Sequence, residues 1–389
     1  MATPYDQGTW FNECEYLETQ HINPQTASPL FNGRIPAEIR NQIYEYALTE
    51  YPDWITFPDA KAVLVCHSHD RAPPPATASP TIDPEQQVSK GINLSNTHPG
   101  RQGYNRLRRP SNGYGWVRYD NIEPMRLSIG LLQSCRRVYL ETHSLPLSQT
   151  EHRFYCYKGP PSSARTDLSR FMAKLEAPAS VPGLKQKDLI RSVRIFAQQY
   201  WLEDQRLQPL IGFSNLEHIR LTLRRSDWWY WESNQPLRIN PFRGNCSGHF
   251  NIAIMRDVMM SRTGNVDFLP EAWGRVFSSF SKLKTLKIDF ETSYEKRAEM
   301  DDIVTWAVKW RFPLSPGRHL SAEGQTVDKV SWRGFPYDFC DRCEVCNQPP
   351  FQNRHNPCVN CEETKLLCTL GYGPQLLVWT ATWKPASDR

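Results

Sequence analysis

Six of the eleven cysteines lie in the last fifty residues of this 389-residue chain: Cys340, Cys343, Cys346, Cys358, Cys361 and Cys368. Two residues separate Cys340 from Cys343, Cys343 from Cys346 and Cys358 from Cys361. That spacing lets one tight turn present two sulfurs to a single tetrahedral ion, which is the chemistry of a zinc site. Six thiolates exceed the four that one ion takes, so either two are spare or two ions share bridging sulfurs. His355 is an alternative ligand between the two halves. A thiolate-only site is closed to substrate, so the expected role of the zinc is structural. Between Asp338 and Cys368 five acidic residues stand against three Lys or Arg, which makes a poor surface for phosphates.

Other residues with chemical potential are more scattered. Arg101, Tyr104, Arg106, Arg108, Arg109, Tyr114, Trp116, Arg118 and Tyr119 combine cations with rings. Such a stretch could bind single-stranded nucleic acid or a phosphorylated partner, or form a solvated loop edge. Trp228, Trp229, Tyr230 and Trp231 form an aromatic run. Trp228, Trp229 and Trp231 are therefore candidate partner-binding residues, since Trp and Tyr anchor interfaces disproportionately; the alternative is that they fill a core. The sequence has no Gly-rich phosphate loop, no Gly-x-Ser-x-Gly elbow and no His-Glu-x-x-His pattern. Cys66-His67-Ser68-His69 borders a stretch poor in apolar residues, a weak place to hold catalytic geometry. No catalytic residue is assigned on these grounds, although an enzyme with a site assembled from scattered groups stays open.

These residues need a scaffold, and the composition allows one. Apolar residues make up 39% and aromatics 12%, with 13 Trp, enough to fill a core for more than one folding unit. The formal charge of +5 is too small by itself to indicate a nucleic-acid or membrane binder. The N-terminal residues show no basic region followed by an apolar stretch, and no run approaches the ~20 apolar residues of a membrane helix. The expectation is an intracellular protein, in cytoplasm or nucleus, with no membrane contact and with thiols available to metal.

Apolar residues at helical spacing run from Ile35 to Leu48, with Pro36 where a first turn tolerates it and Ile35, Ile39, Ile43, Tyr46 and Ala47 on one face. A second helix is predicted from Ser128 to Glu141, then a strand from His152 to Tyr157 and a helix near Asp167 to Leu175. Phe213-Ser214-Asn215-Leu216-Glu217-His218-Ile219-Arg220-Leu221 aligns with Phe280-Ser281-Lys282-Leu283-Lys284-Thr285-Leu286-Lys287-Ile288. Leu189 to Phe196 is a weaker third copy. Each copy ends in the apolar–polar alternation of a half-buried strand. A helix follows from about Glu295 to Trp310, and Leu376 to Trp383 reads as a strand that needs a sheet to join.

Two blocks carry a family resemblance. They are Ile35-Pro36-Ala37-Glu38-Ile39-Arg40-Asn41-Gln42-Ile43-Tyr44-Glu45-Tyr46-Ala47-Leu48 and Leu131-Leu132-Gln133-Ser134-Cys135-Arg136-Arg137-Val138-Tyr139-Leu140-Glu141-Thr142. Together they resemble a large fungal family of F-box-like proteins whose activity is mostly unassigned. That resemblance implies docking of the first helix, through Ile39 and Ile43, onto the adaptor subunit of a cullin-type ubiquitin ligase, with the downstream repeats holding a substrate. The repeats themselves resemble leucine-rich-repeat units of irregular length. Cys358, Cys361 and Cys368 resemble the second half of the binuclear zinc cluster of fungal transcription factors. The interval from Cys343 to Cys346 is too short for its first half.

The predicted fold is α+β: an F-box-like N-terminal helix, an irregular leucine-rich-repeat-like body of helices and strands, and a C-terminal zinc-ribbon-like module. Residues 1–32 are expected as a polar arm. Residues 33–68 and 120–176 form an N-terminal module interrupted by a disordered insertion over 69–119. The repeat-like body occupies 184–316, and the cysteine-rich module with its terminal strand occupies 337–384. The expected function is a non-enzymatic protein-interaction module with a structural zinc and a protein partner; the alternatives are a nuclear regulator that touches nucleic acid and an enzyme.

Overall fold

The structure, a computed structural model, describes residues 25, 27–48, 50–52, 118, 125–127, 130–156, 168–176, 186–231, 235–242, 270–315, 317–334, 358–369 and 373–387. Cys340, Cys343, Cys346 and His355 lie outside them, as do Cys66 to His69 and all of the 69–119 segment except Arg118. The described residues mix helices and strands, as expected for an α+β protein.

The strands are β1 (Glu50–Pro52), β2 (Met125–Leu127), β3 (Glu151–Tyr155), β4 (Ser192–Phe196), β5 (His218–Leu223), β6 (Thr285–Ser293), β7 (Arg311–Ser315), β8 (Arg318–Ser321), β9 (Asp328–Arg333) and β10 (Gln375–Ser387). The α-helices are α1 (Ala37–Ala47), α2 (Arg136–Thr142), α3 (Leu145–Gln149), α4 (Leu168–Glu176), α5 (Gln199–Glu203), α6 (Arg297–Ala307) and α7 (Val359–Thr369).

The internal repeat builds the sheet. Short 3-10 turns, Gln208–Gly212 and Trp273–Ser279, end at Phe213 and Phe280, whose rings are buried. Leu216 and Leu283 are buried in turn, and β5 or β6 begins two residues later. The same backbone joint recurs at each step. The amides of Glu217 and His218 both donate to the Arg191 carbonyl (2.8 and 2.9 Å), and those of Lys284 and Thr285 both donate to the Glu217 carbonyl (2.8 and 3.1 Å). This fixes the register of three parallel strands, with Val193 opposite Ile219 and Ile219 opposite Leu286. Side chains reinforce it: Asn215 Nδ2 donates to the Asp188 carbonyl at 2.6 Å, and Lys284 Nζ reaches Glu217 Oε2 at 2.7 Å.

β3, β4, β5 and β6 are thus parallel neighbours in chain order, and β10 closes the series antiparallel to β6. Its far edge takes β9 along residues 375–380 and β8 along 384–387, with β7 outermost. The strand expected at Leu376–Trp383 therefore sits well inside the sheet. Alternation sends Val193, Ile195, Ile219, Leu221, Leu286, Ile288, Leu377, Trp379, Ala381 and Trp383 to one face, where α4, α6 and the 3-10 turns cover them. Trp273, Phe277, Phe290, Trp310, Phe312 and Trp383 form the densest part of this core, with Trp310 and Trp383 stacked at 6.1 Å. Trp383 Nε1 donates to the Trp310 carbonyl at 3.1 Å, which satisfies its polar edge inside the apolar layer.

Two sequence expectations shift. The helix expected from Ser128 begins only at Arg136, because Cys135 is extended (φ −162°) and its Sγ caps the Val138 amide at 3.5 Å. Before it, residues 131–134 form turns. Arg118, expected in a disordered loop edge, is buried and ion-paired with Glu291 at 2.8 Å. Burial makes that charge dependent on its carboxylate partner, so it anchors here.

Equivalent positions in the repeats should respond alike. Leu216→Ala and Leu283→Ala are each expected to cost about 2–5 kcal/mol in urea unfolding, the usual range for truncating a fully buried leucine. A loss well under 1 kcal/mol at either would mean that the two turns are not equivalent load-carrying joints.

Candidate functional site

The two resemblance blocks meet in space. Tyr44, on α1, is buried, and its hydroxyl donates to Glu141 Oε2 on α2 at 2.8 Å. Arg40 and Arg137 reach the same carboxylate at 3.5 and 3.3 Å, and both guanidinium groups lie over the Phe31 ring. Burial and the Glu141 carboxylate push the Tyr44 phenol up to about 12, so it remains a donor at any physiological pH. β1 pairs antiparallel with β2, tying the chain after α1 to the chain before α2.

This anchoring sets which side of α1 packs inward. Tyr44 and Leu48 point in, whereas Ile39 (45% exposed), Ile43 (41%) and Tyr46 (85%) form a stripe facing out. Steps of four and three residues keep those three on one side of the helix. Tyr46 was legible only as part of the apolar face.

The aromatic run divides, because it is not a strand. Arg225–Asp227 is a 3-10 turn held by a double contact between Arg224 and Asp227: Arg224 Nε donates to Asp227 Oδ2 at 2.7 Å, and Nη2 donates to Oδ1 at 3.0 Å. Trp228 is buried, and its Nε1 donates to the Glu291 carbonyl at 2.8 Å. Trp231 is half-buried against the core beneath the Arg225 guanidinium. Trp228 is therefore a core residue, a correction to its expected role in binding a partner, whereas Trp231 is only partly covered.

Trp229 sits between these cases. It is half-buried, its amide donates to Gln199 Oε1 (3.2 Å), and its Nε1 donates to Glu203 Oε2 (2.9 Å). Burial raises the Glu203 carboxyl, offset by the Trp229 and Gln199 bonds. The outward aromatics here are Tyr230, named in the sequence as part of the aromatic run, and Tyr200, which sequence reasoning did not single out. Tyr230 has φ +56°, a backbone conformation uncommon outside glycine, and Arg238 lies over its ring at 5.3 Å.

On the sheet face away from the core, Asp289 collects a network. Its Oδ2 accepts from Arg194 Nη2 (3.1 Å), Arg220 Nε (2.7 Å) and Thr222 Oγ1 (2.7 Å). Its Oδ1 accepts from Arg220 Nη2 (3.0 Å) and Thr380 Oγ1 (2.8 Å). Four strands thus converge on one carboxylate that solvent does not reach. Two residues on, Glu291 faces Arg118, accepts the Arg225 amide at 3.0 Å and accepts Trp332 Nε1 at 3.2 Å. With both oxygens occupied by donors, neither carboxylate is placed to take a proton from a substrate.

Of the predicted zinc ligands, the described residues include Cys358, Cys361 and the backbone of Cys368, all at or within α7. Cys358 precedes the helix and Cys361 is buried in its first turn, where the Cys361 amide donates to the Cys358 carbonyl at 2.9 Å. No group of three or more metal-ligating side chains occurs among the described residues, and none of the helices among them is long and apolar enough to cross a membrane. Comparison with protein-family models, with curated proteins and with solved structures finds no match for this chain.

Neutralising the Asp289 carboxylate tests how much rests on it. Asp289→Asn leaves Arg194 buried with no full countercharge, and about 3–5 kcal/mol of stability should be lost in denaturant unfolding. A change under about 1 kcal/mol would mean that solvent, not Asp289, balances Arg194.

Proposed function

We propose that this chain is a non-enzymatic protein-interaction component: α1 docks onto a partner, and a leucine-rich-repeat-like body holds a second protein. The carrying observation is the outward stripe of Ile39, Ile43 and Tyr46 on a helix whose opposite side is fastened through Tyr44. A helix fixed in this way presents apolar anchors at steps of four and three residues, the pattern read by a partner's hydrophobic groove. The resemblance of both blocks to F-box-like proteins makes the adaptor subunit of a cullin-type ubiquitin ligase the first partner to test. The basic stretch ending at Arg118 gives no comparable support to the nucleic-acid reading, because Arg118 is committed to Glu291.

Because both isoleucines are exposed, Ile39→Asp with Ile43→Asp should leave circular dichroism and melting temperature unchanged. The same variant should lose ligase components in affinity purification, with direct binding to the purified adaptor weakened about 30-fold or more, as for the loss of an interface hot spot. Recovery of the same partners by wild type and variant would remove α1 as the docking face.

The cysteine-rich segment is proposed to hold structural zinc through Cys340, Cys343, Cys346, Cys358, Cys361 and Cys368, with four thiolates per ion or sulfurs bridging two ions. Coordination would fasten the start of α7 shortly before β10, the strand on which the sheet closes. Metal bound only by the folded chain adds its binding energy to folding. Cys358→Ser with Cys361→Ser should therefore lower metal content, measured by plasma emission, together with melting temperature, and expose 337–384 to protease. Loss of zinc with unchanged melting and digestion would mean that the metal is not a staple.

A further inference from the structure

Two loops leave the same end of the sheet carrying aromatic rings. β4 and β5 are parallel neighbours, so α5, after β4, and the turn Arg225–Asp227 with Trp228 to Trp231 behind it, after β5, both emerge at the carboxyl end of the strands. Open parallel sheets gather their ligands at that end. Trp201 and Leu202 are buried and pin α5, which leaves Tyr200 facing out. Gln199 joins the loops: its Oε1 accepts the Trp229 amide at 3.2 Å, and its Nε2 donates to Glu203 Oε1 at 3.1 Å and to the Arg238 carbonyl. Trp229 Nε1 is fixed on Glu203 Oε2 at 2.9 Å. The result is a row of three rings, with Tyr200 6.0 Å from Trp229 and Trp229 5.8 Å from Tyr230, tilted by 56° and 37°. Tyr200 and Tyr230 are both exposed, and Tyr230 holds φ +56°. A bulky residue is strained there, and such strain concentrates at binding sites.

Resting on the reading that the body holds a second protein, we infer that the row of Tyr200, Trp229 and Tyr230 binds a proline-rich segment of that protein in polyproline II conformation. Clefts lined by tryptophan and tyrosine receive such segments, because prolyl rings pack against the aromatic faces. One turn of polyproline II advances about 9 Å in three residues, so prolines at i and i+3 fit along a row whose rings step by 6.0 and 5.8 Å. That backbone makes no internal hydrogen bonds, so its carbonyls are available to the Tyr200 hydroxyl. A sugar ring also packs on aromatic faces, but polar side chains must fix its hydroxyls. The amide and carboxylate at this row, Gln199 and Glu203, are instead bonded to Trp229 and to each other. Those bonds hold Trp229 in place before any ligand arrives, which lowers the ordering cost of binding.

The test uses the full chain and fluorescence anisotropy with labelled decaproline, a Gly–Ser decapeptide, chitohexaose and oligo-dT. Decaproline alone should bind, and with little dependence on salt, since no ion pair is formed. Tyr200→Ala with Tyr230→Gly should weaken it about tenfold or more, as for the loss of interface anchors. Tyr230→Gly alone should weaken decaproline while holding or raising the melting temperature, because glycine adopts φ +56° without strain; a ring with a purely structural role would lower it. Tyr46→Ala, on α1, should leave decaproline binding within about twofold, as for a surface change away from the contact. No binding of decaproline by wild type overturns the inference, as does equal binding by the Tyr200/Tyr230 variant or tighter, Tyr230-dependent binding of chitohexaose or oligo-dT. Affinity purification separates this failure from failure of the underlying reading. A second protein recovered equally by wild type and the Tyr200/Tyr230 variant removes this site but keeps the body as a receptor, whereas no second protein with wild type removes the receptor reading itself.

Discussion

Asp289 is the joint on which the sheet turns. It sits in the middle of β6, and its two oxygens take five hydrogen bonds from β4, β5 and β10. A carboxylate so buried would be costly without countercharge, and the arginines beside it would be costly without the carboxylate. Each makes the other tolerable. The arrangement demands that Arg194, Arg220, Thr222 and Thr380 be in register, so it selects one alignment of parallel β4–β6 with antiparallel β10. The repeated backbone joints at the Arg191 and Glu217 carbonyls select the same alignment from the strand starts. Local and cross-sheet restraints therefore agree, the condition for a single well-defined arrangement.

The two faces of the sheet then divide the labour. One is apolar and roofed by α4, α6 and 3-10 turns, with a tryptophan-rich centre around Trp310. The other carries charge, buried and paired around Asp289 and Glu291, with Lys287 and Lys384 exposed on it. Trp228 links the two ends of this scheme: it belongs to the apolar core, yet its indole nitrogen holds the Glu291 backbone. α1 stands apart from both, held by a small cluster of Phe31, Tyr44, Val138 and the Glu141 ion pairs. A small anchor leaves most of the helix surface uncovered, which is why its isoleucines face outward.

Much of the element order was readable from residue spacing. The Phe-x-x-Leu-x-x copies, the helix at Ile35–Leu48 and the strand at Leu376–Trp383 all appear in the structure close to their expected bounds, because local periodicity and turn chemistry set them. The candidate residues were less legible. Trp228, Trp229 and Trp231 look equivalent in sequence, but they follow a 3-10 turn at Arg225–Asp227 and do not form a strand, so alternation gave no guide to which side each faces. Cys135 looked like one more helical residue and is instead a cap. Arg118 looked like a loop cation and is a buried anchor, a role visible only once Glu291, far along the chain, is placed beside it.

By itself, then, the sequence determined which segments alternate, which turn, and where thiols gather at zinc spacing, since these depend on neighbours within a few residues. Which face of α1 is free, which tryptophans are core, and that two arginines share one carboxylate were decided by tertiary structure alone. Each depends on a partner tens of residues away: Glu141 for Tyr44, Glu291 for Trp228, and Asp289 for Arg194 and Arg220. Burial and charge balance are properties of such pairs, and no local pattern encodes them.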